Sequence, residues 1–191
     1  MISVGLTGGI GSGKTTVSKL IRILGYPVYE ADVEAKKIIS EDQSVKAKII
    51  NLLGEEAYDG TKYNRLFVAQ KVFNDKALLQ GLNDIVHPAV AKHFKDWKES
   101  HSNSEYVFQE AAILFENGSY LKFDKTILIT SPEAIRVKRV MKRDNLSHKE
   151  VMARINNQWS DDKKMELADF SIQCDGYHLV IPQLLKVLKQ L

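Results

Sequence analysis

A single cysteine, Cys174, stands in the 191 residues. An internal disulfide is thereby excluded, and the chain fits a reducing, cytoplasmic setting, with Cys174 read as a small buried apolar residue. No apolar run approaches the length needed to cross a bilayer, so no membrane partner is expected. No Cys/His spacing suggests zinc, and the chain has no internal repeat and no low-complexity tract. Lys and Arg number 27 against 24 Asp and Glu, an excess too small to imply a nucleic-acid partner. The apolar stretch at the start lacks a basic region before it. A cleaved leader is not expected, since cleavage would remove the glycine-rich loop that follows at once. What remains, 44% hydrophobic and 27% charged, is the composition of an ordinary globular protein.

The most informative stretch is ISVGLTGGIGSGKTTVSKL, residues 2–20. Residues 2–6 form a short apolar run that reads as a buried strand. Val17, Leu20, Ile21 and Leu24 then repeat at helical spacing. Between them, Gly8 to Thr15 match G-x-x-x-x-G-K-[ST]. A triphosphate can be surrounded by backbone N–H groups only where no Cβ intrudes and φ can be positive, which glycine permits. Gly9, Ile10, Gly11, Ser12 and Gly13 are thus expected to wrap the phosphates of a nucleoside triphosphate. The following helix aims its free N–H groups and positive dipole end at the same anion. Lys14 supplies a full charge to the β- and γ-phosphates, Thr15 is placed to ligate Mg²⁺, and Thr16 completes the first turn.

Five strands are predicted, at 2–6, 27–31, 105–110, 125–130 and 170–174. Helical patterns lie between them, which argues for an α/β fold with a parallel sheet covered on both faces. Ligands in such sheets bind beyond the carboxyl ends of the strands. Residues 1–32, 103–135 and 161–191 read as this nucleotide-binding core. The gap at 33–102 is too long for a plain crossover and reads as a helical insertion, with Pro88 in the first turn of a helix over 89–99. An insertion after the second strand is a natural place for an acceptor substrate. Residues 136–160 read as a lid: Arg136, Arg139 and Arg143 fall on one helical stripe, and such arginines can neutralise a transferring phosphoryl group.

A GTPase switch would carry D-x-x-G and N-K-x-D, and neither string occurs. A kinase for a small molecule needs a base, an acceptor pocket and a lid. Asp32, the insertion and the arginine stripe supply candidates for all three. Asp32 also fits the N-cap of a helix starting at Val33, and the two roles can coexist.

The ordered motifs resemble the dephospho-CoA kinase family over nearly the whole chain. LTGGIGSGKTTV (6–17) is similar to its form of the phosphate loop, and EAD (30–32) to its D-A-D. DGTKYNR (59–65), NDIVHP (83–88) and ILFE (113–116) resemble its D-G-x-x-x-R, L-x-x-I-x-H-P and P-L-L-F-E. RVMKRD (139–144) resembles R-x-x-x-R-D, and Gln158 and AD (168–169) match two later signatures. The resemblance implies a P-loop kinase fold: a five-stranded parallel sheet flanked by helices, with a helical substrate-binding insertion and a short helical lid. It implies ATP-dependent phosphorylation of the ribose 3′-hydroxyl of dephospho-CoA to give coenzyme A and ADP, the last step of coenzyme A synthesis, with Mg²⁺ accompanying ATP. Asp32 would be the base, and Lys14, Arg139 and Arg143 would hold the phosphates. Arg65, His87 and Glu116 would lie with Asp32 on the acceptor side. Read as residues alone, His87 can cap a helix and Arg65 can form a surface ion pair. Three positions depart from the family pattern. Glu30 replaces an Asp, Ala112 a Pro, and Cys174 stands where Asn is usual.

Overall fold

β1 (Ile2–Gly8) is buried on both faces from Ser3 onward, which is why it reads as one apolar run and not as an alternation. The computed structural model describes residues 1–73 and 75–191. After β1 come α1 (Lys14–Ile23) and β2 (Val28–Glu30); then, within the insertion, α2 (Ala31–Glu41), α3 (Gln43–Leu53), β3 (Tyr58–Asp59), β4 (Lys62–Tyr63), α4 (Arg65–Phe73) and α5 (Lys76–Ser100). The chain returns through β5 (Tyr106–Glu110), β6 (Lys125–Thr130), α6 (Glu133–Asp144), α7 (His148–Asn156), α8 (Asp161–Met165), β7 (Phe170–Gln173) and α9 (Val180–Leu188).

Two compact units result, one of Met1–Glu30 with His101–Leu191 and one of Ala31–Ser100. In the first, the five expected strands form one parallel sheet, and their order is β2-β5-β1-β6-β7. β1 lies at the centre. Leu6 pairs with Glu110 on one side and Ile127 on the other, so the loop leaving β1 emerges at the carboxyl edge beside the point where the strand order reverses. Val4, Leu6, Phe108, Ile127, Ile129 and Ile172 pack one face against α1 and α9 through Val17, Ile21, Leu184 and Val187. On the other face, Leu114 and Phe123 lie against Gly5. Asp124 and Asp169 fasten the amino ends of the strands. Asp124 accepts from the Ser3 N–H and hydroxyl at 2.7 and 2.6 Å. Asp169 accepts from the Thr126 N–H and hydroxyl at 2.9 and 2.8 Å. Burial pushes the Asp169 carboxyl up, but the bonds from Thr126 and Lys125 outweigh it and the net shift is downward.

α6 and α7 carry a cluster of their own, Val137, Val140, Val151 and Ile155, with Ile10 of the glycine loop packed against it. Ser147 caps α7 in a capping box with Glu150.

In the second unit Ile38, Val45, Ile49, Leu53, Tyr58, Val68 and Val86 form a separate core. Asp42 caps α3 by accepting from the Val45 N–H at 3.0 Å. The β3–β4 hairpin turns at Gly60, where φ is 60°, and no strand pattern announces it because two residues carry no period. Two expectations are corrected here. α5 runs unbroken for 25 residues with Pro88 inside it, so Pro88 does not open a new helix and His87 is not a cap. Pro88 cannot donate to the Asp84 carbonyl, a loss in a helix interior of about 3 kcal/mol. Leu78, Leu82, Ile85, Val86, Ala89 and Val90 hold the helix through the defect by packing on the unit's core. Asp32 is the second residue of α2, not its cap, and sits with Glu34 in the first turn, where the helix dipole favours negative charge.

Candidate active site

The glycine loop spans the short distance from β1 to α1, and its glycines answer two demands. At Gly13 φ is 111°, a left-handed value that starts α1 without a side-chain cap. At Gly9 the reason is room. A Cβ there would lie 2.5 Å from the Arg136 guanidinium, which fills the space behind the loop. Lys14 Nζ reaches back to the Gly8 carbonyl at 2.9 Å and the Gly9 carbonyl at 3.4 Å. Thr15 and Thr16 are exposed on the first turn of α1. With no side chain capping this helix, its first N–H groups and dipole are available to an anion.

The arginine stripe of α6 runs along this loop, and its members differ in role. Arg136 is 6% exposed; its Nε donates to the Ile10 carbonyl at 3.1 Å and it pairs with Asp161 at 3.2 Å. Arg139 donates to the Gly11 and Ser12 carbonyls at 3.2 and 3.4 Å, to the Ser131 hydroxyl at 3.3 Å and to the Cys174 carbonyl at 2.8 Å. All four acceptors are neutral. Among the described residues no carboxylate pairs with Arg139, so its charge is left for an anionic ligand. Arg143 is exposed and grips Asp144 with two bonds of 2.7 and 2.9 Å, which hold the Asp144 carboxyl below its usual range. Gly11, Gly13, Lys14, Thr15, Arg139 and Arg143 together line a cavity of about 260 Å³.

Ile10 has no N–H to offer a phosphate here, since that group donates to Gln158 Oε1 at 2.8 Å. Ala112, one of the departures, contributes its carbonyl to Gln158 Nε2 at 3.4 Å. Cys174 likewise serves through its carbonyl, while its thiol packs against Gly13 and is pushed up by burial. Glu30 pairs with Arg22 of α1 at 2.7 Å. Glu116 is committed inside the sheet unit: it lies 2.9 Å from Lys164, which is fully buried, and accepts from the Trp159 N–H at 3.2 Å. In the sequence Lys164 reads as one more surface charge in DDKK, and nothing local marks its burial. Arg65 opens α4 and His87 lies within α5, both exposed. Among the described residues neither side chain makes a hydrogen bond or ion pair, so Arg65 is not held in the surface pair that its charge permits. No cluster of three or more His, Cys, Asp or Glu among the described residues could cage a metal ion, and none of the described helices is long and apolar enough to cross a membrane.

A glycine loop between the central strand of a parallel sheet and an uncapped helix, ringed by Lys14 and Arg139, defines a P-loop kinase fold. The comparisons narrow this class. A family model described as dephospho-CoA kinase matches residues 2–179. A dephospho-CoA kinase of Bacteroides fragilis is 38% identical over 187 residues, 98% of this chain and 91% of that one. A crystal structure from Thermus thermophilus has a TM-score of 0.83 at 34% identity, covering 99% of this chain and 95% of its own. A dephospho-CoA kinase structure from Campylobacter jejuni gives 0.72 at 28% identity, covering 98% and 96%. The chain belongs to the dephospho-CoA kinase family.

Proposed function

We propose that the protein transfers the γ-phosphoryl group of ATP to the ribose 3′-hydroxyl of dephospho-CoA, giving coenzyme A and ADP, in the cytoplasm. The observation that carries the reading is Arg139, with no carboxylate partner among the described residues, lining one cavity with Lys14 at the open N-terminus of α1, in a chain of this family. The 3′-oxygen attacks the γ-phosphorus and the bridging oxygen leaves with ADP. The hydroxyl proton passes to Asp32, which follows β2 by two residues and is exposed. Lys14, Arg139 and Arg143 compensate the charge on the phosphoryl oxygens, and residues 136–160 act as the lid. Arg65 and His87, which make no hydrogen bond or ion pair among the described residues, are available to the acceptor; Glu116 acts by fixing Lys164 and Trp159.

The residues fit Mg²⁺ as a companion of the triphosphate. The exposed hydroxyl of Thr15 stands at the helix start and no carboxylate cage is present among the described residues, and Mg²⁺ is commonly held by few protein groups plus substrate phosphates. Thr15 would help to hold the ion, which would supply positive charge against the charge that develops on the phosphoryl group.

An ADP-release assay on purified protein with dephospho-CoA, adenosine, nucleoside monophosphates and shikimate tests the reading. Turnover with dephospho-CoA alone is expected. Equal or faster turnover with another acceptor would transfer the protein to a different small-molecule kinase activity.

A further inference from the structure

The middle of the phosphate loop is held from outside by three independent contacts. The Ile10 N–H donates to Gln158 Oε1 at 2.8 Å. The Ile10 carbonyl accepts from Arg136 Nε at 3.1 Å. The Ile10 side chain packs on Val137, Val140, Val151 and Ile155 of α6 and α7. Each holder is itself held. Gln158 Nε2 donates to the Ala112 carbonyl at 3.4 Å, and Arg136, 6% exposed, pairs with Asp161 at 3.2 Å while its guanidinium fills the room left by Gly9.

We infer that Gln158 and Arg136 are positioning residues for the phosphate loop: by taking both polar groups of the Ile10 peptide they fix the loop in the shape that presents its remaining N–H groups and Lys14 to the nucleotide. The inference rests on the ATP reading above and adds residues that do not touch substrate. The physical case is entropic. A loop with glycine at 8, 9, 11 and 13 is expensive to order, at about 1–2 kcal/mol per residue. If that ordering is done in the free protein, it is not charged against binding. Both holders come from the segment on the lid side of the loop, α6 and the connection from α7 to α8, so this segment and the loop are one mechanical piece at Ile10. The Gln158 amide has one arrangement that satisfies it, since only its oxygen can accept from an N–H.

Gln158→Leu and Gln158→Glu separate positioning from bulk packing. Glutamate keeps an oxygen for the Ile10 N–H, loses the donation to Ala112 and brings a negative charge beside the phosphate loop; leucine loses both bonds and adds no charge. Amide exchange of Ile10, read by NMR in the free protein, should accelerate in Gln158→Leu and stay near wild type in Gln158→Glu. ATP affinity by titration calorimetry should fall about tenfold in Gln158→Leu, or about 1.4 kcal/mol; Gln158→Glu, whose added charge itself opposes the triphosphate, is read by Ile10 exchange alone. Adenosine, which has no phosphate, should bind all three proteins alike. If Gln158→Leu does not fold, Arg136→Met with Asp161→Asn removes the grip on the Ile10 carbonyl without baring a carboxylate, and the same loss of ATP affinity is expected. Unchanged ATP affinity in a variant whose Ile10 amide is freed would overturn the inference, as would Ile10 exchange equally fast in Gln158→Leu and Gln158→Glu. A wild-type protein that fails to bind ATP overturns the functional reading instead, and Ile10 exchange still decides the grip.

Discussion

Lys14 lies over the carbonyls of Gly8 and Gly9, on a flexible stem that lets a compact ammonium move between them and a phosphate. Lys14→Ala should therefore fold and lose roughly a thousandfold or more in turnover, about 4 kcal/mol of transition-state stabilisation. Lys14→Arg should also fail, because a planar fork does not fit a loop shaped for a point charge. Turnover and thermal midpoint measured together decide it, and near-normal rates in either variant would remove Lys14 from the chemistry. Asp32 allows a sharper test now that it lies inside α2. Asp32→Asn gives up a dipole interaction of about 0.3–1 kcal/mol and should leave the fold intact. It should keep ATP bound and lose turnover by about 10²- to 10⁴-fold, since the amide cannot take a proton. A rate close to wild type would reduce Asp32 to a favourable helix-start charge. At this scale the spacing places Lys14 and Thr15 at the end of the glycine loop and the start of α1, because that pattern is written in consecutive residues. It is a poor guide to Glu116 and Lys164. Their pairing joins positions 48 apart, and burial of a lysine is a tertiary fact that no local pattern carries.

α6 shows how a helix with one stripe of like residues can carry three roles. The i, i+3, i+7 spacing of Arg136, Arg139 and Arg143 is legible, but which of them is buried depends on what packs against the stripe. Arg143 is exposed and, among the described residues, pairs only with its neighbour Asp144, so Arg143→Ala should leave stability nearly unchanged while slowing turnover. Arg139→Ala should do both kinds of damage. Arginines that neutralise phosphoryl charge are worth about 10³- to 10⁵-fold in related chemistries. The loop carbonyls it leaves unpaired should cost about 1–3 kcal/mol of stability. Wild-type turnover in Arg143→Ala would confine that residue to its bond with Asp144. The loop after β7 gives a pH test. Asp175 accepts the His178 N–H at 2.9 Å, lies 2.6 Å from His178 Nδ1 and accepts the Tyr177 N–H at 2.9 Å. These bonds, those from His178 first, hold its carboxyl well below the usual carboxylate range. A depressed folded value means the loop's stabilisation is complete above the ordinary value of about 4 and is lost as pH falls below it toward the folded value. NMR titration should place the Asp175 midpoint below that of an exposed Asp, with Tyr177 and His178 amide exchange rising only at lower pH. A midpoint at the ordinary value would mean the turn is not held by the carboxylate.

The whole chain is one sheet unit interrupted by a helical unit, and each has its own apolar core. The interruption is legible because 70 residues cannot be a simple crossover, and the continuous α5 is not, because a proline at position 88 argues locally for a break that packing overrides. Separate cores have a thermodynamic consequence. A unit of this size buries little more than about 60% of the surface its unfolded chain exposes, so its stability rests on few core side chains. Ile49 is fully buried at the centre of the helical unit's core, between Val45 and Leu53 on α3. Ile49→Ala should cost about 2–5 kcal/mol, the transfer of the lost methylenes plus the cavity they leave. That is enough to open the helical unit and, on the functional reading, to remove acceptor binding. The sheet core contains none of the residues that Ile49 packs with, so β1, β5 and β6 should keep their amide protection and ATP should still bind. Hydrogen exchange by mass spectrometry should show faster exchange confined to 31–100. Equal acceleration in β1, β5 and β6 would mean that the two units unfold as one, and the acceptor side could not then be disabled without the nucleotide side.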